Sequence, residues 1–161
     1  MTFSPFRHLD SIVWKNRPIQ FTFFLTRRCN AKCPFCFYIS QKDAAVSAAS
    51  ELSLAEIEKI APQLGTLLWL AFSGGEIFLR SDLVDITTLF YRINKPAIIL
   101  LPTNGLLTDT IYSSVETILK SCPESSIVVK LSLDGPEPVH DELRGVSGAY
   151  QKTLKTCEAL G

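Results

Sequence analysis

The sequence predicts an α/β fold: four parallel βα units forming a partial (β/α) barrel. Three observations predict it. Continuously apolar, strand-like runs alternate with helical patterns from Ile19 to the carboxyl end. The last three strands recur about every 30 residues, the length of one βα unit. A polar or glycine-rich loop follows each strand directly, as expected where parallel strands present their carboxyl ends to a ligand.

Taken in order, "IQFTFFLT" (19–26) is β-branched and aromatic and reads as a buried strand. "SLAEIEKIAPQL" (53–64) opens with Ser53 and Glu56 at capping-box spacing, and Pro62 predicts an early end to that helix. "TLLWLAF" (66–72) is the second strand, followed by the turn "SGGE" and a helix over 81–93 capped by Ser81. "AIILL" (97–101), the loop "PTNG" and a helix over 108–121 make the third unit. "IVVKLSL" (127–133), the loop "DGPEPVHDELRGVSG" and a helix from Ala149 make the fourth. Such strands, separated by helices, imply a parallel sheet covered by helices. Right-handed crossovers leave two architectures, an open doubly wound sheet or part of a barrel. Four strands do not close a barrel, and an open sheet exposes its edges. The favoured expectation is therefore one portion of a longer enzyme: a lead-in over 1–18 and a partial core over 19–161, truncated before strands five and six.

Composition narrows the function class. Of 161 residues, 47% are hydrophobic and 20% charged, enough to build a core. Sixteen basic residues balance sixteen acidic ones, so no net field draws the chain to nucleic acid or anionic lipid. The apolar runs fall well short of the roughly 20 residues that span a bilayer, and no signal-peptide pattern is present. A cytoplasmic setting is expected.

Five cysteines is an odd count, against a fully paired disulfide framework. Three of them, Cys29, Cys33 and Cys36, sit in one loop, "TRRCNAKCPFC", directly after the first strand. Clustered thiols in a reducing compartment point to metal or redox chemistry. A structural zinc site needs a fourth ligand. Cys122 and Cys157 are expected near helix ends at the end of the fold opposite the strands' carboxyl ends, while His140 is expected at the same end as the cysteine loop. A zinc site completed by His140 and an iron–sulfur cluster with one open iron both remain open. "SGGE", "PTNG" and "SLDG" reach the same face from the other three strands, and this convergence marks a site.

Together these residues resemble the radical S-adenosylmethionine superfamily. The resemblance rests on CxxxCxxC from Cys29 to Cys36 with Phe35 before the last cysteine, on "GGE" (Gly74, Gly75, Glu76), on "TNG", and on "SLDG…HDELRG…GAY". It covers residue 19 to about residue 155. The resemblance implies a six-unit barrel and a [4Fe–4S] cluster on the three thiolates. The fourth iron would take the amino and carboxylate groups of S-adenosyl-L-methionine. Reductive cleavage to a 5′-deoxyadenosyl radical would then serve hydrogen abstraction from an unknown substrate. A one-electron donor such as flavodoxin or ferredoxin would be the partner, and the "HDELRG" loop looks like enzymes that modify peptides or build cofactors.

The same resemblance implies cofactor-binding roles. Gly74 and Gly75 would offer carbonyls to the ammonium, since glycines allow close backbone approach, and Glu76 would add negative charge beside it. Phe35 would pack near the adenine, or else against the sheet. Ser132 and Asp134 would meet the ribose or methionyl part, although Asp134-Gly135 also reads as a plain turn. Arg144, a planar fork, would hold the methionyl carboxylate or pair with Asp141 or Glu142. Thr103 and Asn104 are candidates too, against an ordinary Asn-Gly turn. Lys32, Arg27 and Arg28 would offset cluster charge or remain solvated. The competing functions are a non-catalytic iron–sulfur electron carrier, a zinc-binding module, and a chain inert until a partner supplies the missing strands.

Overall fold

The computed structural model describes residues 18–38 and 51–161, together with Leu9 and Val13. Most of the lead-in and the small-residue stretch 43–50 lie outside the described residues. Strands β1 (Gln20–Thr26), β2 (Trp69–Gly74), β3 (Ile98–Thr103) and β4 (Ser126–Leu131) form one parallel sheet. Their order in space, β1-β2-β3-β4, is their order in the chain. Every crossover therefore steps in the same direction, and with right-handed connections the crossover helices fall on one face. A doubly wound sheet would reverse direction partway. The structure is a barrel wall.

Helices α1 (Leu54–Leu64), α2 (Leu83–Asn94), α3 (Thr108–Ser121), α4 (Glu137–Arg144) and α5 (Ala149–Leu160) complete the fold. Strand side chains alternate between faces. Phe21, Phe23 and Leu25 of β1, Leu70 and Phe72 of β2, Ile99 and Leu101 of β3, and Ile127 and Val129 of β4 join one core. Ile57 of α1, Ile86 and Phe90 of α2, and Ile111 and Ile118 of α3 meet them there. The intervening residues, among them Thr22, Phe24, Trp69, Ala71, Leu100 and Val128, line the opposite face. Register puts Gln20, Trp69, Ile98 and Ser126 in one row and Thr22, Ala71, Leu100 and Val128 in the next.

Several expectations need correction. The outer strands are not buried: Phe24 is 41% exposed and Val128 is 41% exposed. Each pairs on one side only within this sheet. The helix α1 runs on through Pro62, because the missing N–H affects a carbonyl at the water-exposed Glu58 and the helix ends two residues later. Its capping box is present, with Ser53 and Glu56 bonded both ways. Ser81 does not cap α2. Asp82 occupies the cap position, and its carboxylate is taken by Arg80 at 2.8 and 2.6 Å instead of by the helix. The loop after β4 contains the helix α4, whose start carries prolines and whose end carries Gly145 with φ of 61°.

Candidate active site

The cysteine loop leaves β1 at Thr26, and the turn after β2 holds its base. Gly75 N donates to Thr26 O (2.7 Å) and Glu76 N to Arg28 O (2.9 Å). The two glycines are demanded by the protein itself. A Cβ on Gly74 would lie 2.3 Å from Thr26 O, and one on Gly75 would lie 2.0 Å from Arg28 O and 3.2 Å from Cys29 Cβ. What approaches this backbone in the structure is the start of the cysteine loop.

Glu76 is 1% exposed and is held by protein donors. Its Oε1 accepts from Phe78 N (3.2 Å) and Thr103 Oγ1 (2.9 Å), and its Oε2 accepts from Asn104 N (2.8 Å). Burial pushes this carboxyl above its ordinary value, and the three hydrogen bonds oppose that rise. The carboxylate thus splices the β2 turn to the β3 loop. Thr103 also accepts from Gly105 N (3.1 Å), and Asn104 Oδ1 accepts from Leu106 N (3.0 Å). From α5, Thr153 donates to Asn104 O (2.9 Å) and Thr156 to Gly105 O (2.7 Å). So braced, Asn104 turns its amide nitrogen to Asn30 Oδ1 (2.7 Å) and Cys29 Sγ (3.8 Å).

The other wall comes from β4 and α4. Ser132 N donates to Thr103 O (3.0 Å), setting the β4 loop beside the β3 loop. Asp134 Oδ2 lies 2.6 Å from Arg144 Nη2, so the arginine pairs with neither Asp141 nor Glu142. Asp141 instead accepts from Gly148 N and Tyr150 N at the start of α5. Arg144 Nη1 donates to Cys33 Sγ (3.6 Å), its carbonyl accepts from Lys32 N (2.8 Å), and its Nε is buried without a partner. Phe35 does not pack into the sheet: it is 55% exposed, and the Arg144 guanidinium stands 5.9 Å above its ring. Gly145 gives the cysteine loop room, since a Cβ there would sit 2.8 Å from Lys32 O.

His140, the fourth ligand of the zinc alternative, is tied to the β4 loop. His140 is fully buried, and its Nδ1 accepts from Asp134 N (3.2 Å). Among the described residues no group of three or more His, Cys, Asp or Glu side chains is placed to hold a single metal ion. Cys122 is buried in the core, where burial pushes its thiol up to about 11, and Cys157 is exposed on α5. Cys29, Cys33 and Cys36 are half-buried. The donor set fits an iron–sulfur cluster: three thiols from one loop, two of their sulfurs facing side-chain N–H donors, and an orphaned guanidinium nitrogen nearby.

A family model for the radical SAM superfamily matches residues 23–161. The chain belongs to that superfamily. Among curated relatives, the antilisterial bacteriocin subtilosin biosynthesis protein AlbA of Bacillus subtilis (strain 168) is 34% identical over 146 residues, 89% of this chain and 30% of that protein. The pre-heme d1 synthase of Dinoroseobacter shibae is 32% identical over 142 residues, 85% of this chain and 33% of the synthase. The chain thus spans about a third of the length of these relatives. The radical SAM fold is matched by solved structures as well. The anSMEcpe chain with bound AdoMet superposes with a TM-score of 0.68 at 24% identity, over 89% of this chain and 40% of that one. Streptococcus suis SuiB bound to precursor peptide SuiA gives 0.62 at 19% identity, over 99% and 37%. No helix among the described residues is long and apolar enough to cross a membrane.

Sequence reasoning missed several members of this candidate site. Asn30 is one; Thr153 and Thr156 are others, carried in from a helix about fifty residues downstream. Arg28 is neither a solvated cation nor turned to the thiols: its fork grips Glu51 at 2.9 and 3.0 Å. Gly145 carried a usable signal, because a glycine just past a helix is a stop marker.

Proposed function

We propose that this chain forms the amino-terminal portion of a radical SAM enzyme core and that Cys29, Cys33 and Cys36 hold a [4Fe–4S] cluster. When bound, the cluster and S-adenosyl-L-methionine together supply a one-electron cleavage that yields a 5′-deoxyadenosyl radical for hydrogen abstraction. This chain's residues hold, orient and shield. Asn104 and Arg144 direct N–H groups at the Cys29 and Cys33 sulfurs, donors of the kind that orient metal-binding thiols. Gly74 and Gly75 present backbone to the ammonium of the cofactor, and Arg144 takes the methionyl carboxylate by exchanging Asp134 for it. Phe35, exposed and already stacked on a cation, offers a face to the adenine. Ser132 and Asp134 stand at the end of β4 for the methionyl or ribose hydroxyls. Glu76 and Thr103 act one step back, locking the β2 turn and the β3 loop together.

The observation that carries this reading is that Cys29 and Cys33 each face an N–H donor from a different strand-end unit. The relatives' names support a peptide or cofactor precursor as substrate, and the family resemblance supports a flavodoxin or ferredoxin as electron source. Anaerobic reconstitution with iron and sulfide, then reduction in the presence of S-adenosyl-L-methionine, tests it. The expected result is a brown chromophore and release of 5′-deoxyadenosine by the full-length protein. A chain that takes up zinc stoichiometrically and no iron would refute it.

A further inference from the structure

The cysteine loop is closed at its base by charges that take no part in the site above. Glu51 lies 23 positions beyond Arg28 in the sequence, yet its carboxylate returns to the residues from which the loop departs. Arg28 Nε and Nη2 donate to Glu51 Oε1 and Oε2 at 2.9 and 3.0 Å, a two-point fork. Thr26 Oγ1 donates to Glu51 Oε1 and accepts from Arg28 N (2.9 Å). Arg80, from the turn after β2, reinforces both ends. Its Nη1 donates to Leu25 O (3.1 Å) before the loop, and its Nη2 donates to Leu52 O (3.0 Å) after it. Asp82 fixes that guanidinium, and Arg80 also stands 4.0 Å from Glu51. The Glu51 side chain is 8% exposed and that of Arg80 5%, so water screens little of this network.

We infer that Glu51 is a positioning residue: with Arg28, Thr26 and Arg80 it forms a clasp that fixes the base of the cysteine loop before any metal arrives. The inference rests on the proposed cluster for its functional meaning, but the clasp itself is a property of the metal-free chain. Without the clasp, the loop start would lose its tie to the returning chain and be held by the Gly75 and Glu76 hydrogen bonds alone, which would then open more often. The thiols would then be less pre-organised, and a bound cluster would be held less tightly.

Glu51→Gln is the direct test, since it keeps the shape while removing charge and one acceptor. In the metal-free chain, amide exchange at Lys32, Gly75 and Glu76 is expected to accelerate about tenfold, the consequence of losing a charge-assisted hydrogen bond. Exchange at Val115 and Ile118 of α3 should stay as in the unsubstituted chain. In reconstituted protein, iron release to a chelator should quicken in parallel. Arg28→Lys keeps the charge at a partly exposed position but loses the fork, and decides the matter by the same ratio if Glu51→Gln fails to fold. Unchanged loop exchange overturns the clasp, and so does acceleration spread equally over α3, which would make Glu51 a general stabiliser. A chain that takes up no iron refutes the proposed function alone, because the metal-free exchange still judges the clasp.

Discussion

Arg144 and Asp134 form a 2.6 Å ion pair that stands between the β4 loop and the cysteine loop, with Cys33 Sγ 3.6 Å from the other side of the guanidinium. An arginine so placed serves two directions at once, which a single ammonium does not. Arg144→Lys is therefore expected to keep the cluster and weaken S-adenosyl-L-methionine binding about tenfold, a difference near 1.4 kcal/mol. Titration calorimetry of reconstituted protein measures it. Equal affinity in the two proteins would remove Arg144 from the cofactor site.

The thiols divide cleanly by position. Replacing Cys29, Cys33 or Cys36 with Ala should each abolish stable iron uptake, because each is a half-buried member of the one loop. Cys157→Ala should take up iron like the unsubstituted protein, being exposed on α5. Cys122→Ala should also keep its iron while losing about 1 kcal/mol of stability, as expected for trimming a core side chain. Iron and sulfide analysis beside a denaturation curve separates the three behaviours.

Glu76 is expected to act on stability. Its carboxylate accepts from Phe78 N, Thr103 Oγ1 and Asn104 N in a buried setting. In Glu76→Gln an NH2 group must face one of these donors, leaving it unsatisfied. The expected cost is about 1–3 kcal/mol, read as a lower urea midpoint. An unchanged midpoint would mean that the three bonds are not formed in solution.

Local signals made part of this site legible. The CxxxCxxC spacing, the "SGGE" turn and the Asn104–Gly105 turn each follow a strand within a few residues, so periodicity and turn chemistry located them. Partners distant in sequence were out of reach: Glu76 finds Thr103 and Asn104 more than 25 residues on, and Glu51 finds Thr26 across 25. An isolated glutamate after a run of small residues gives no sign of its bonding. The exposure of β1 and β4 was illegible for another reason, since an apolar strand reads alike whether a neighbour covers it or not. By contrast α4 carried both prolines at its start and a glycine stop, yet its polar character reads as loop.

Acid should loosen the clasp before it unfolds the core. Burial acts to raise the Glu51 carboxyl, but hydrogen bonds from Arg28 and Thr26, with the charges of Arg28 and Arg80, outweigh it and hold the group below its ordinary 4.5. Asp82 is held below its ordinary 3.8, chiefly by the hydrogen bond from Arg80 and against its burial. For both, the unfolded chain binds protons more readily than the folded one. Their stabilisation is thus full above the unfolded values and disappears as pH falls through the folded ones. Glu76 has the opposite sign: its raised value makes its ionised form costly near neutrality, and that cost eases as the group protonates on acidification. The difference in unfolding free energy between the unsubstituted chain and Glu51→Gln isolates the clasp from this opposing trend. It should be constant near neutral pH and shrink below about pH 4.5, where the unfolded glutamate begins to protonate. Chemical denaturation of the metal-free chain across that range measures it, and a difference that does not change with pH would show that Glu51 binds protons equally in the folded and unfolded chain, so that the clasp does not stabilise its charge.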